Sequence, residues 1–461
     1  MATLVSFYSH EMAGDAMLIS SALTLFFGIF FRLAGTDDYE KPISKRESFL
    51  SVTLASIVMS AFGMLPYYIS GYIPNVCDAY FETISGFTST GSSILSDIEA
   101  LPRGLLFWRS ITQWIGGIGI IVFALTVLPM VGGNASALYD AEATGIMRER
   151  FRPRVSQISK RLWTTYIVVT VIVIFLLWLG PMTLFDSVCH ALTTISTGGF
   201  STKQDSIAYW DSAYVEYVLT IFMFIGGTNF ALVFYLFKGM PQKLLKDEEF
   251  RWYVVICIVM VVIIATSLFT SGKSAGIEPT IRTSLFHVVS VITTTGFTTT
   301  SYISWGAFYV FLFCLLMLFC ASAGSTSGGI KIVRIIVLFK NAINEFRRQV
   351  QPNAILPVRL NGQVIPIDVV TKILAFIFLY LGILVVSFIV LSSMGMGFEE
   401  SIGAAISCLG NTGSGLGVNG ANGHFADISE PAKWYLCFLM LTGRLELFTV
   451  LSLFMPAFWR K

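Results

Sequence analysis

The sequence predicts an all-α polytopic membrane protein: four repeats of helix, short segment and helix, set with pseudo-fourfold symmetry about a common axis and preceded by one N-terminal helix. Three observations carry this. Of the 461 residues, 55% are hydrophobic and only 13% are charged, about half the roughly 25% charged residues of soluble domains. Apolar runs recur near 16–34, 48–70, 104–131, 162–180, 212–237, 252–270, 303–338, 367–392 and 432–456, each long enough to cross a hydrocarbon core of about 30 Å. Between alternate runs lies a shorter, moderately apolar segment that ends in Thr, Ser and Gly. Such a composition leaves too little polar surface for a soluble enzyme and excludes a disordered chain.

The elements follow in order. Ala16 to Phe31 is apolar and is followed by Arg32 and a charged stretch, with no basic region before it and no small-residue cleavage site. It reads as a retained membrane helix. The expected organisation is an N-terminal helix and linker at 1–47 and repeats at 48–147, 148–251, 252–360 and 361–461. The short segments end in Phe87-Thr-Ser-Thr-Gly91-Ser, Thr194-Ile-Ser-Thr-Gly198-Gly-Phe, Ile292-Thr-Thr-Thr-Gly296-Phe and Gly410-Asn-Thr-Gly413-Ser-Gly, with the Thr-Gly glycines 107, 98 and 117 positions apart. That spacing marks an internal repeat. Asp78, Asp186, Thr283 and Glu400 stand 12 or 13 positions before these glycines, where Asp and Thr suit a helix N-cap and an acidic group suits a helix N-terminus. About ten helical residues rise about 15 Å. That is half a bilayer, so each segment is predicted to enter the membrane and return.

Charge placement sets the orientation, since net charge is only +2. The connections between repeats carry Arg148, Arg150, Arg152, Arg154, Lys160 and Arg161, then Lys238, Lys243, Lys246 and Arg251, then Lys340, Arg347, Arg348 and Arg359; the chain ends in Arg460-Lys461. The stretches beside the Thr-Gly segments hold few basic residues, Arg103, Lys203, Lys273 and Arg282. Basic loops face the cytoplasm, so the C-terminus is expected there and the four Thr-Gly loops open outward.

Irregular backbone at membrane depth must be buried in protein or line a water-filled cavity. Four such loops can present a ring of carbonyls that replaces the hydration shell of a monovalent cation. Gly lets the chain turn there without a Cβ clash, and the C-terminal ends of the half-helices favour positive charge. Each repeat begins and ends on the same side, so the units are parallel, unlike those of inverted-repeat transporters. An intramembrane enzyme is the competing class. It needs a nucleophile–base pair or a metal site, and the sequence has no HExxH pair and only four scattered His. No GxxxxGK[ST] loop calls for ATP hydrolysis by this chain. The seven Cys form no CxxC pair or Cys/His pattern and read as small buried hydrophobes. Trp108, Trp163, Trp252 and Trp434, at span ends, read as interface anchors.

These residues resemble a known family, the superfamily of Trk, Ktr and HKT cation transporters, and within it the TrkH branch of bacterial potassium uptake proteins. Besides the four loops, the resemblance lies in Phe81-Glu-Thr-Ile-Ser-Gly-Phe, Gln113-Trp-Ile-Gly-Gly-Ile-Gly-Ile, Gly198-Gly-Phe-Ser-Thr, Ala323-Gly-Ser-Thr-Ser-Gly-Gly-Ile-Lys331, Asn411-Thr-Gly-Ser-Gly-Leu-Gly and Gly443-Arg-Leu-Glu-Leu-Phe-Thr. It runs from about residue 14 to the end. It implies four M1–P–M2, potassium-channel-like units around one pore, in a bacterial or archaeal cytoplasmic (inner) membrane. It further implies K⁺ as the transported ion, a homodimer, and a cytoplasmic nucleotide-binding regulatory partner resembling TrkA. The nucleotide would then be bound by that partner. No covalent cofactor and no nucleic acid enter the reading. A Na⁺-permeable or ion-coupled cation symporter of the same superfamily is the alternative. The TrkH branch usually carries two helices before the first repeat, whereas only one full helix fits before Asp37.

Carried over residue by residue, the resemblance implies a selectivity filter at Ser89, Thr90 and Gly91, at Ser196, Thr197 and Gly198, at Thr294, Thr295 and Gly296, and at Asn411, Thr412 and Gly413. K⁺ is expected at Thr90, Thr197, Thr295 and Thr412. In plant relatives, Ser in place of the first filter Gly accompanies sodium preference; Gly91 is retained here, which favours potassium by analogy.

Two features lie below the filter. The run Trp305 to Phe339 is too long and too interrupted for one straight helix, with nine small or hydroxyl residues, Ala321 to Gly329, in its middle. Small residues can serve close helix packing; alternatively, the stretch is unwound and lines the ion path. The resemblance, which places a gating loop here, supports the second reading, with Gly324, Gly328 and Gly329 as hinges and Ser325, Thr326 and Ser327 offering hydroxyls and carbonyls. Arg444 lies near the middle of the last span, where insertion costs about 3 kcal/mol. Glu446 is two residues away and does not share its helix face. Arg444 is therefore expected to face the pore or the Gly-rich segment, opposing ion dwell or anchoring the closed loop. His190 and His287 are expected in structural hydrogen bonds, and Glu82 is expected to bond neighbouring backbone.

Overall fold

The computed structural model describes residues 2–8, 13–35, 45–127, 155–274, 276–415 and 423–460. Arg148, Arg150, Arg152 and Arg154 of the first connection lie outside them.

Among the described residues, five helical segments are long and apolar enough to cross a membrane: Ala13–Ala34, Arg46–Ile69, Lys160–Trp178, Glu248–Thr270 and Ile367–Ser393. The first is the additional N-terminal helix and the others open the four repeats. Their outer faces expose Phe26, Ile29, Phe175, Ile258, Val262, Phe378 and Ile389. Apolar rows of this extent along a whole helix are covered by lipid.

Each repeat then enters the interior as a half-helix: Val76–Phe87, Leu184–Ile195, Ile277–Ile292 and Phe398–Gly410. These elements form the centre of the molecule, with Ala79, Phe81, Ala191, Phe286, Val288, Ala404 and Ala405 fully buried. They begin earlier than the acidic residues indicated. Their N-caps are Asn75, Thr183, Gly276 and Gly397. Asp78, Asp186 and Glu400 fall at the third helical position, where a carboxylate still faces unpaired amides. Thr183 Oγ1 accepts the Asp186 N–H at 3.2 Å, and Glu400 accepts the Gly397 N–H at 3.2 Å. The third half-helix starts a turn earlier than its sisters, at 16 residues, so Thr283 lies in its second turn.

The second helix of each repeat packs against the next repeat's half-helix, and that of repeat four packs against the half-helix of repeat one, so the four units close on themselves. All four second helices are broken. Arg103–Val127 is interrupted at Gly119, whose φ is 78°. Ala213–Gly226 and Phe230–Phe237 meet at 112°, and Glu430–Arg444 and Leu447–Phe454 at 117°. Ala307–Leu318 and Ile332–Val350 are separated by the Gly-rich stretch, flanked by a parallel pairing of Phe319–Cys320 with Ile330–Lys331. The apolar runs near 104–131, 212–237 and 432–456 read as continuous spans, so three of the four breaks correct the sequence reading. In repeats one and four, a glycine close to the break lies hard against the end of that repeat's own half-helix. A Cβ on Gly116 would strike the Phe87 carbonyl, and one on Gly443 the Leu409 carbonyl.

Candidate functional site

The four half-helices end on one backbone pattern. Ser89, Thr197, Thr294 and Asn411 take left-handed φ values of 52°, 51°, 59° and 54°. Two residues on, Gly91, Gly199, Gly296 and Gly413 do so at 88°, 77°, 80° and 80°. The residue between them donates its amide to the carbonyl five residues back, at 2.9 Å in every copy: Thr90 to Ser85, Gly198 to Thr193, Thr295 to Ser290 and Thr412 to Ser407.

This shared geometry fixes which residues correspond, and it moves the second loop by one position. The counterpart of Gly91 is Gly199 rather than Gly198, that of Thr90 is Gly198 rather than Thr197, and Ser196 is the helix C-cap equivalent to Thr88 and Thr293. Gly198 lacks a side chain because Gln113 occupies that space. Gln113 Nε2 donates to the Gly198 carbonyl at 2.7 Å, and its Oε1 accepts the Phe200 N–H at 3.0 Å.

The loops abut in a cycle. A Cβ on Gly91 would overlap the Gly198 carbonyl oxygen, one on Gly199 that of Thr295, one on Gly296 that of Thr412, and one on Gly413 that of Thr90. Only Gly satisfies both the left-handed φ and this approach. Among the described residues, no hydrogen-bond donor reaches the carbonyls of Thr90, Thr295 or Thr412, whose residues are fully buried. Buried carbonyls without partners are uncommon. Together with four converging helix C-termini they make the centre of the ring favourable to a cation.

Side chains brace this ring. Nine residues before each glycine stand Glu82, His190, His287 and Ala404, and the first three reach the strand leaving their own loop. Glu82 accepts from Ser93 Oγ and the Ile94 N–H, each at 3.0 Å, and pairs with Arg109 at 2.8 Å, both side chains essentially inaccessible. Arg109 also donates to the Ser201 carbonyl at 3.0 Å and lies 4.0 Å over the Phe200 ring, so it joins loop one to loop two. His190 bonds Ser201 Oγ at 3.0 Å and the Asp186 carbonyl at 2.8 Å; His287 bonds Thr299 and Thr300. Arg109 escaped the sequence reading, and Glu82 does more than bond local backbone. The available signal was two opposite charges in apolar surroundings, which membrane burial makes costly unless they pair. At the ring's outer edge, Lys433 pairs with Asp78 at 2.6 Å and Arg282 with Glu216 at 3.0 Å, tying repeat four to one and two to three.

The Gly-rich stretch lies directly beneath. The Ser322 N–H donates to the Gly227 carbonyl at 3.0 Å, Thr326 Oγ1 donates to the Ile195 carbonyl at 3.0 Å, and the Gly328 N–H donates to Thr294 Oγ1 at 3.1 Å. Thr197 Oγ1 meets Thr326 Oγ1 at 3.2 Å. Gly324 takes a left-handed φ against Asn229, Gly328 packs on the Gly410 carbonyl and Gly329 on Cys320. Ser325 Oγ is 2.7 Å from Ser327 Oγ. The stretch thus touches loops two, three and four. Arg444 donates to the Thr326 carbonyl at 2.7 Å, to Gly117 at 3.0 Å and to Gly116, linking the stretch to the second helix of repeat one. Glu446 meets Arg334 at 2.7 Å.

With this geometry in view, the chain compares as follows. The family described as TrkH, cation transport protein, matches residues 16–461. The Trk system potassium uptake protein TrkH of Escherichia coli is 38% identical over 423 residues, covering 91% of this chain and 87% of that protein. TrkH of Halomonas elongata is 31% identical over 461 residues, covering 99% and 95%. The crystal structure of the potassium transporter TrkH from Vibrio parahaemolyticus superposes with a TM-score of 0.90 at 33% identity, covering 100% of this chain and 95% of that one. The chain therefore belongs to the TrkH family of multi-pass membrane cation transport proteins.

Proposed function

We propose that this protein takes up potassium through the ring of four loops. In this reading, carbonyls of the residues preceding Gly91, Gly199, Gly296 and Gly413 replace the hydration shell of K⁺. The membrane potential, about 2.3 kcal/mol per charge per 100 mV, drives the ion inward. The stretch Ala321–Gly329, pinned by Arg444, interrupts the path beneath. The loops face outward and the C-terminus lies in the cytoplasm, as the basic connections indicate. A homodimer and a TrkA-like nucleotide-binding subunit belong to the same proposal and rest on family resemblance. The relatives named above are potassium uptake proteins.

The observation that carries the proposal is the cyclic approach of each loop's glycine to the next loop's carbonyl. A side chain at any of these positions breaks the ring. Purified protein in liposomes is expected to pass K⁺ over Na⁺, and Gly199→Ser or Gly296→Ser is expected to abolish that preference. Preference retained in both variants refutes the ring as the selective element. The Na⁺-permeable and ion-coupled alternatives separate in the same assay, through flux in Na⁺ alone and its dependence on a counter-gradient.

A further inference from the structure

The Gly-rich stretch leaves and rejoins its helices through two paired feet, Phe319–Cys320 and Ile330–Lys331. A buried carboxylate stands at these feet. Glu249, in the first turn of Glu248–Thr270 and only 5% exposed, accepts the Ala323 N–H at 2.7 Å. The Val333 amide, just beyond the second foot, faces the same carboxylate.

The two preceding residues hold other parts. Asp247 caps its own helix through the Phe250 N–H at 2.9 Å and accepts from Asn361 Nδ2 at 2.9 Å. Glu248 pairs with Lys340, on the helix that follows the stretch, and accepts the Asn361 N–H at 3.1 Å. Its own amide donates to Asn361 Oδ1 at 2.7 Å. Asn361 and Gly362, both with left-handed φ, form the turn of a hairpin in which Arg359–Leu360 pairs with Gln363–Val364. Three consecutive acidic residues therefore connect the hairpin, the helix Ile332–Val350 and the base of the Gly-rich stretch within one helical turn.

We propose that Asp247-Glu248-Glu249 is a clasp that holds the Gly-rich stretch across the ion path, and that displacement of the hairpin tip at Asn361 opens it. The inference rests on the reading of Ala321–Gly329 as the gate. Glu249 acts as a positioning residue, because it binds the loop's backbone. A hydrogen bond to a charged acceptor in a buried site is among the stronger ones. It favours the closed stretch while the first turn stays in place. The hairpin grips that turn through Asp247 and Glu248, so moving the hairpin turns Glu249 away from Ala323. Lys331, which donates to the Ser327 carbonyl and hydroxyl, holds the stretch from within and limits the effect.

The test uses the full chain in liposomes, with K⁺ flux and the K⁺/Na⁺ ratio measured together. Glu249→Gln keeps the size and removes the charge. Its flux should rise by about tenfold, the scale of one hydrogen bond to a charged group. Asn361→Ala, at the far end of the clasp, should raise flux by a smaller factor. Neither should change the K⁺/Na⁺ ratio, which a merely loosened fold would degrade. The double variant should match Glu249→Gln alone, because both act through one contact. Unchanged flux in both single variants, additive effects, or an altered ion ratio would overturn the clasp. Arg444→Ala is the control for the gate itself. If it raises flux while Glu249→Gln does not, the gate stands and the clasp falls; if neither raises flux, the gate reading fails. Where Glu249→Gln does not yield monodisperse protein, Asn361→Ala decides alone.

Discussion

The ring of loops and the tier of helix breaks beneath it are both fourfold, yet they follow opposite rules. The loops are near copies: the same pair of left-handed residues, the same hydrogen bond at 2.9 Å, the same approach of glycine to the neighbouring carbonyl. The breaks take three different forms. One is a single residue, Gly119; two are sharp bends of 112° and 117°; one is the nine-residue stretch Ala321–Gly329. A spherical ion is best surrounded by equivalent ligands, and equivalence requires that the loops be held alike. An obstruction needs one element able to move while its neighbours stay fixed. In the proposed reading, the asymmetric tier supplies it in repeat three, where Arg444 of repeat four holds the Thr326 carbonyl.

This contrast can be broken at either tier. The largest effect is expected at the ring: Gly199→Ala places a Cβ on the Thr295 carbonyl at a left-handed φ, and K⁺ preference over Na⁺ should be lost in a liposome flux assay. Next is the brace between loops one and two. Arg109→Gln leaves Glu82 buried without its charge partner and should cost about 3–5 kcal/mol, read as a lowered melting temperature in detergent, with partial recovery in the double variant Glu82→Gln/Arg109→Gln. A smaller effect is expected in the lower tier. Arg444→Ala removes the hydrogen bonds to Thr326, Gly116 and Gly117 and should raise K⁺ flux by about tenfold, the equivalent of one charged hydrogen bond, at unchanged ion preference. The smallest sharpens the register: Ser196→Gly removes a hydroxyl that donates to the Thr193 carbonyl at a helix C-cap and leaves the ring's glycines and carbonyls in place, so ion preference should stay at its wild-type value. A large loss there would return Ser196 to the ring.

The loops were legible because one signal recurs four times at similar spacing. Their register in repeat two was not, since Thr197-Gly198-Gly199 allows two alignments and only the bond from Gly198 to Thr193 selects between them. Continuous hydropathy across Gly119, Gly226–Asn229 and Gly443–Glu446 concealed three breaks, because a glycine within an apolar run looks the same whether the helix continues or turns. The Gly-rich stretch stood out through nine small residues in succession. Glu82 and Arg109 are 27 positions apart, and nothing local announces that they meet. Glu249 sits in a charged connection; its partners, the amides of Ala323 and Val333, come 74 and 84 positions later in the chain.

The reversal potential under K⁺/Na⁺ bi-ionic conditions, for the wild-type protein and for Gly199→Ala, tests the central claim most directly. The account predicts a wild-type potential that follows the K⁺ gradient and collapses toward zero in Gly199→Ala. A wild-type potential indifferent to which cation is present, or a K⁺-selective potential that survives the substitution, contradicts it.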